Sequence, residues 1–170
     1  MIRWYGFACL CWLTACADPV HDDAVDALGP EAPGVKPGPL HRPGQPCLVC
    51  HSGKGPAALE FSLAGTVYKY LESGEPMANA VVQFVDKAGQ RTFTGTNCAG
   101  NFFVQRADFD PVFPVWTRVV FGGFPDADMS TPIFREGSCA HCHSDPPGEA
   151  SAGRIYIANP GTPVPGGSCP

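Results

Sequence analysis

Short apolar runs separated by turn sequences fill the middle of the chain. They are rich in valine, threonine and aromatic residues, which favour β-strands, and they cover residues 63–70, 80–86, 91–96, 101–105 and 115–121. The segments between them, at 72–76, 86–89 and 97–101, supply the glycine and Asx residues that chain reversals need. A further run at 154–158 predicts one more strand that could return to the sheet. Short strands with no long helical pattern predict a mainly β fold, an antiparallel sandwich.

The N-terminal residues 1–15 have a different pattern, with one early basic residue, Arg3, and then an apolar run. The run is too short to span a bilayer as a mature helix and is typical of a secretory signal. It ends in Leu13-Thr14-Ala15-Cys16, which resembles the lipobox of bacterial lipoproteins. That resemblance implies cleavage before Cys16 and lipid attachment to it, so that the protein is held at a membrane surface. The alternative is an ordinary signal peptide in which Cys16 is incidental, and in either case the chain is exported.

Residues 16–46 contain many prolines and few large apolar side chains. Such a composition favours extended polyproline II structure, so we expect a tether between the lipid and the domain. His21 lies in an acidic part of this tether, where we expect it to be exposed to solvent. Residues 47–170 are then expected to form a single folded unit. It comprises a segment at 47–59, the β-structure at 60–122 and a segment with a C-terminal strand at 123–170.

Charge narrows the possible partners. The formal net charge is −5 at pH 7 and no basic patch is present, which argues against nucleic acid as a partner. No second long apolar stretch occurs, so lipid is the expected connection to a membrane.

Two copies of the pattern C-x-x-C-H lie on either side of the β-region. They are Cys47-Leu48-Val49-Cys50-His51 and Cys139-Ala140-His141-Cys142-His143. This is the c-type haem attachment sequence, in which the two thiols add to the vinyl groups of one porphyrin and the next imidazole meets the iron. The pair predicts two covalently bound c-type haems, with His51 and His143 as proximal iron ligands.

Three other uses of these cysteines remain open. A four-cysteine zinc site is one, although nearly the whole folded region separates the two pairs and zinc does not explain the histidines. A thioredoxin-like redox pair normally opens a helix after a strand in a βαβ unit, and neither motif has that context. Simple disulfides are the third, since an exported protein meets an oxidising compartment.

The cysteine count supports the assignment of the two motifs to haem attachment. Of nine cysteines, two leave with the signal, Cys16 takes lipid and four take haem. Cys98 and Cys169 are left, and an even remainder in an oxidising compartment predicts a disulfide between them.

The distal iron ligands are less well determined. If both irons have two histidine ligands, His41 and His141 would complete the set begun by His51 and His143. His41 lies in a proline-rich approach and could instead be a solvated loop residue. His141 lies inside its own motif, so it would have to reach the first haem or remain exposed. Met129 is an alternative ligand, and its thioether would raise the reduction potential.

The β-region also resembles the carboxypeptidase-regulatory-like, transthyretin-like β-sandwich over roughly residues 60–122. The resemblance is carried by Gly65-Thr66-Val67-Tyr68, by 75–82, by Gly89 and by 94–102. Cys98 stands where that family commonly has an acidic turn residue. Two haem motifs flanking such a module resemble small multihaem c-type cytochrome lipoproteins. The expected fold is therefore a transthyretin-like β-sandwich flanked by two loop-rich CxxCH segments.

These features predict an electron carrier rather than an enzyme, because the haem carries the chemistry and no catalytic residues are needed. The expected protein is a lipid-anchored dihaem cytochrome that passes single electrons between redox proteins of the bacterial cell envelope. Two alternatives stay open. One is a haem-based peroxidase or ligand sensor, which needs an open sixth iron position. The other is a surface-binding lipoprotein in which the sandwich recognises a polymer or protein.

Overall fold

A computed structural model describes residues 18–165 and Cys169. The predicted signal segment, residues 1–15, and the predicted lipid site Cys16 lie outside the described residues. In chain order the elements are α1 Pro19–Ala27, α2 Leu48–His51, β1 Phe61–Tyr70, β2 Val81–Val85, β3 Arg91–Gly95, β4 Asn101–Gln105, β5 Trp116–Val120, β6 Ala127–Asp128, a 3₁₀ turn at Cys139–His141 and β7 Ile155–Ala158.

The fold is mainly β, as the sequence predicts, and each of the six predicted strand segments contains a strand. The two-residue strand β6 was not predicted, because two residues are too few to show a periodic pattern. The strands form two sheets, one in the order β4-β1-β7 and one in the order β3-β2-β5-β6.

The pairing is antiparallel except between β1 and β7, which run parallel. The expectation of a purely antiparallel arrangement is therefore wrong at this edge. Parallel neighbours need a long crossover connection. Here the chain between β1 and β7 passes through the other strands and the second CxxCH motif before it returns.

One buried apolar cluster takes side chains from both sheets. Strands β1 and β4 contribute Leu63, Val67, Phe102 and Val104, and strands β2 and β5 contribute Val82, Phe84 and Val119. Strand β2 shows the alternating burial of a strand with one face on the core. Strand β1 differs, because residues 61–68 are all buried and both of its faces are covered.

The N-terminal segment differs from the extended tether that its prolines suggest. Helix α1 begins with Asp18 as N-cap, whose Oδ1 accepts from the N–H of His21 at 3.2 Å, and with Pro19 in the first turn. An Asp-Pro pair is a favourable helix start, because the aspartate caps a free N–H and proline has none to satisfy. Further along, the N–H of Gly44 donates to Thr66 Oγ1 of β1 at 2.8 Å. The loop before the first motif is therefore packed on the sheet.

The Cys98–Cys169 disulfide predicted from the cysteine count is present in the structure. The two sulfur atoms lie 2.16 Å apart and join residues 71 positions apart in sequence. The bond fixes the β3–β4 turn to the C-terminal end of the described chain.

A buried carboxylate holds the β2–β3 turn to the loop before β5. Asp86 is 2% exposed. Its Oδ1 accepts from the N–H of Gln90 at 2.8 Å and its Oδ2 from the N–H of Val112 at 3.0 Å. The Val112 hydrogen bond is the main reason why the pKa of Asp86 lies below its ordinary value.

We expect Asp86→Asn to lower the free energy of unfolding at pH 7, because an amide binds these two donors less well than a carboxylate. Since the folded-state pKa is depressed, the stabilisation is present above the unfolded pKa of about 3.9 and is lost as the pH falls through the folded value. Urea unfolding should therefore show a difference from the wild type at pH 7 that narrows at pH 3. Asp108→Asn, at an exposed aspartate, is the matched control. A difference that is unchanged at pH 3 would contradict this role.

Candidate functional site

The two CxxCH motifs adopt the same local structure, a single helical turn. In the first, the N–H of His51 donates to the carbonyl of Cys47 at 2.9 Å, and in the second, the N–H of His143 donates to the carbonyl of Cys139 at 2.8 Å. Each motif also has a bond of 3.2 Å from the N–H of its second cysteine to the carbonyl of its first. The turn brings the two thiols and the following imidazole of each motif together.

Both motif histidines are oriented in the same way. Nδ1 of His51 lies 2.8 Å from the carbonyl of Leu59, and Nδ1 of His143 lies 2.8 Å from the carbonyl of Gly153. A carbonyl can only accept, so Nδ1 is the donor in each contact, and in the neutral imidazole of this tautomer Nε2 carries the lone pair. Metal-binding histidines commonly have this arrangement, with the second nitrogen bonded to a carbonyl or carboxylate. The sequence pattern did not show the two carbonyls, because they lie outside the motifs and a backbone carbonyl has no residue signature.

All four motif cysteines are free thiols in the structure. Burial is the main cause that raises the pKa of Cys47 to about 11 and that of Cys139 to about 12. Both are therefore neutral thiols at pH 7, while Cys142 is exposed. The alternative of disulfides within the motifs is absent from this structure. Within residues 18–165 and Cys169, no group of three or more His, Cys, Asp or Glu side chains is placed to hold a metal ion, so a four-cysteine zinc site is not assembled.

The two motifs meet at neighbouring residues of β1. Ala64 packs in a small cluster with Leu48 and Cys47 of the first motif. The Ala64 N–H also donates to the carbonyl of Gly137, just before the second motif, at 2.9 Å. At the next residue, Gly65, a Cβ atom would lie 2.8 Å from Cβ of Cys139. Glycine is therefore needed there for the second motif to approach the strand, and motifs 92 residues apart become neighbours.

The imidazole of the first motif is one of a row of near-parallel aromatic rings. The ring centres of His51 and Phe61 are 4.1 Å apart, and those of Phe61 and Phe103 are 4.7 Å apart. The His41 ring is near that of His51, with ring centres 5.9 Å apart and ring planes inclined by 18°. The structure thus places one of the predicted distal ligands beside the first motif.

The other predicted distal ligands lie elsewhere. Nδ1 of His141 is 2.6 Å from Glu136 Oε1, and both side chains are more than 40% exposed. Met129 follows β6 in the other sheet, where its N–H donates to the carbonyl of Thr117 at 3.1 Å. Neither residue lines the small space that contains Cys47 and Cys50 of the first motif.

Two clefts adjoin the first motif. The smaller encloses about 20 Å³, and its lining includes Cys47, Cys50, His51 and His41. The larger, of about 460 Å³, lies between α1, α2 and the approach to the second motif, and Leu48, Val49 and His141 contribute to it. The thiols of the first motif, Cys47 and Cys50, line the small space, so this is the candidate site.

The residues of this site fit a covalently bound haem in their chemistry. Two free thiols and an imidazole with a free Nε2 are the required donor set. The enclosed space, however, is about that of one water molecule. A tetrapyrrole on these thiols would therefore extend into solvent or displace the loop at 39–46.

His21 was expected to be exposed, but it lines the larger cleft. Its Nε2 is buried and has no hydrogen-bond partner in the structure. Helix α1 places it there, and the Asp18-Pro19 start signal could have predicted that helix from the sequence.

The chain matches no protein-family model, no curated protein and no solved structure. The site therefore has to be interpreted from its own geometry.

We expect Gly137→Ala to separate the second motif from β1. A Cβ atom at this position would lie 1.9 Å from the backbone oxygen of Ser62, a contact that no side-chain movement relieves. Overpacking of this kind costs about 1–3 kcal/mol, and Cys139 should become accessible as the segment moves away. Alkylation of the haem-free protein, followed by mass spectrometry of the peptides, should show faster modification of Cys139. Gly148→Ala is the matched control, since nothing lies within 4 Å of its Cβ position. Equal modification rates in the two variants would contradict the role of Gly137.

Proposed function

We propose that this protein is a lipid-anchored dihaem c-type cytochrome that transfers single electrons in the bacterial cell envelope. The observation that carries the proposal is the matched orientation of His51 and His143. In both motifs a backbone carbonyl lies 2.8 Å from Nδ1, which leaves Nε2 as the nitrogen available to a metal, and the motif cysteines are free thiols. A structural turn has no need for this arrangement, and it occurs twice in segments that share no other sequence.

The chain's own residues would hold the cofactors in separate roles. The two thiols of each motif would form thioether bonds to one haem, and the imidazole that follows would bind its iron through Nε2. Bound haem supplies the one-electron chemistry, as its iron cycles between the ferric and ferrous states. The carbonyls of Leu59 and Gly153 would fix the orientation of the two proximal imidazoles and increase the basicity of these rings. This is one way in which a protein tunes the reduction potential of an iron.

The meeting of the motifs at Ala64 and Gly65 supports a role in electron transfer. Each motif packs against an adjacent residue of β1, so both attachment segments contact the same short stretch of one strand. Two haems held there would be able to exchange electrons within one molecule. A protein that needed haem only for stability would not require the two sites to be neighbours.

The scaffold in this proposal is a transthyretin-like β-sandwich. The shared core of the two sheets supports a sandwich arrangement. The Cys98–Cys169 bond accounts for the cysteine at the turn where the resembled family commonly has an acidic residue. The sheets would act as a support for the two attachment segments.

The proposed location in the envelope rests on the sequence at Leu13-Thr14-Ala15-Cys16. Lipid on Cys16 would hold the protein at a membrane, with other envelope redox proteins as partners. Among the residues that the structure describes, no helix is long and apolar enough to cross a membrane.

We expect Cys50→Ala and Cys142→Ala each to lower the covalent haem content from two to one per chain, because each removes one of the two thioether bonds of its own site. The measurement is the pyridine haemochrome spectrum together with intact mass, after expression in a host that matures c-type cytochromes. The double variant Cys98→Ala/Cys169→Ala is the matched control: it removes two cysteines and the disulfide but should retain two haems. Two full haem equivalents in either single variant, or none in the wild type, would overturn the proposal.

We expect Cys16→Ala to move the protein from the membrane fraction to the soluble fraction, because the lipid attachment site is gone. Cys11→Ala, which removes a cysteine within the signal segment, should leave the distribution unchanged. The measurement is fractionation of cells after a salt wash. Membrane recovery of the Cys16 variant equal to that of the wild type would contradict a lipid anchor.

A further inference from the structure

The larger cleft is lined by two residues whose buried polar atoms have no hydrogen-bond partner among the residues that the structure describes. The atoms are Nε2 of His21 and Oγ of Ser52. Buried polar atoms in folded proteins nearly always have a partner, so each exception requires an explanation. The cleft encloses about 460 Å³, which is within the usual range of about 300–1,000 Å³ for small-molecule sites. A ligand that forms hydrogen bonds with both side chains would supply the missing partners.

The walls of the cleft favour a ligand that is largely apolar. They include the side chains of Val20, Ala24, Leu48, Val49, Pro111 and Phe113. These side chains come from α1, from α2 and from the loop before β5, so apolar surface borders the cleft on several sides.

The acidic residues of the lining favour a ligand without charge, because each of them already has a basic partner. Asp110 Oδ1 lies 2.5 Å from Nη1 of Arg106, Glu136 Oε1 lies 2.6 Å from Nδ1 of His141, and Asp18 Oδ2 lies 3.8 Å from Nζ of Lys54. An ionic ligand would have to compete with these pairs for the same groups. A neutral ligand leaves them intact.

A quinol combines the required properties. It is an uncharged aromatic ring with two hydroxyl groups, so the ring can pack against the apolar walls while the hydroxyls pair with His21 and Ser52. A lipid acyl chain would leave both polar atoms without partners. A sugar would bury several of its hydroxyl groups against apolar side chains, which is unfavourable.

The cleft also lies near the predicted lipid attachment site. Asp18 and Val20 line it, and Asp18 follows Cys16 by two residues, a length of at most about 7 Å in an extended chain. Val20 is 78% exposed, so an apolar side chain stands at the rim of the cleft. Lipid on Cys16 would hold this rim close to the membrane in which quinols are dissolved.

Helix α2 lies between the cleft and the thiols of the first motif. Leu48 and Val49 line the cleft, whereas Cys47 and Cys50 line the small space. A helix with its side chains is about 10 Å thick, so a ring in the cleft would be close enough to pass electrons to haem at this motif. The lining includes His141 of the second motif and takes no residue from the loop at 39–46. The cleft therefore does not depend on the position of that loop.

We propose that the larger cleft binds the head group of a membrane quinol and that the protein oxidises it to the quinone. The inference rests on the proposed function, since two ferric haems have to accept the electrons. Both hydroxyl O–H bonds break and both ring oxygens become carbonyl oxygens, which releases two electrons and two protons. One electron reduces the iron at the first motif, and the other reduces the iron at the second. Nε2 of His21 takes one proton and water at the rim takes the other, while Ser52 holds the second ring oxygen by a hydrogen bond.

The first test measures binding, which needs no turnover. Ferric holoprotein, with its haems counted by intact mass, is brought to dialysis equilibrium with decylubiquinone and, separately, with menadione. We expect saturable binding of at least one of these quinones. Ala24→Trp should weaken this binding about tenfold or more, because the indole occupies space in the cleft. Ala27→Trp is the matched control and should bind like the wild type, because this alanine is exposed on the same helix and does not line the cleft.

A second variant keeps the test decisive if Ala24→Trp fails to retain two haems. Glutamine in His21→Gln can pair with a hydroxyl but cannot take its proton, so we expect quinone binding close to that of the wild type. Reduction of the haems by decylubiquinol or menadiol, followed by stopped-flow absorbance, should be about 100-fold slower than in the wild type. Asp23→Asn, at an exposed residue of the same helix, should match the wild type, and dithionite should reduce the haems of every variant at the same rate.

The possible failures are distinguishable. Wild-type protein that carries two haems but binds neither quinone would overturn the quinol site and leave the dihaem cytochrome intact, as would equal affinities of the two tryptophan variants. Binding without reduction of the haems by either quinol would overturn the oxidation, and equal reduction rates in His21→Gln and the wild type would overturn the role of His21. A wild-type protein without covalent haem would instead overturn the proposed function itself.

Discussion

Strand β1 is buried on both faces over residues 61–68, and most of the other elements either pair with this strand or cover it. A buried strand needs hydrogen-bond partners on both edges and apolar cover on both faces. Strand β4 occupies one edge, and β7 occupies part of the other. Where β7 does not reach, the Gly137 carbonyl accepts from the N–H of Ala64. The segment leading to the second motif is thus held in place by the hydrogen-bonding needs of the central strand.

The same constraint accounts for the position of the first motif. One face of β1 contributes Leu63 and Val67 to the shared core, and the other face meets Leu48 and Cys47 through Ala64. Small residues at 64 and 65 let both motifs come close to the backbone of the strand. Chemistry and stability are therefore coupled here, because the groups proposed to bind haem also cover the strand on which the fold depends.

Polar contacts then convert this packing into defined side-chain geometry. Carbonyls at Leu59 and Gly153 set the tautomers of the motif histidines. Asn101 and Thr66, on paired strands, hold the loop that carries His41. The histidine contacts span 8 and 10 residues, whereas the Asn101 contacts with Thr66 and His41 span 35 and 60.

The sequence by itself determined the strands, the CxxCH motifs and the Cys98–Cys169 pair. Strand composition, motif spacing and cysteine parity are local or countable properties, so they can be recognised without a fold. The sequence did not determine the parallel β1–β7 edge, the packed N-terminal segment or the neighbouring position of the two motifs. Prolines suggested an extended tether, yet the buried Asn101 network favoured a packed loop. Only the tertiary structure decided these features, because they depend on burial and hydrogen bonds between residues far apart in the chain.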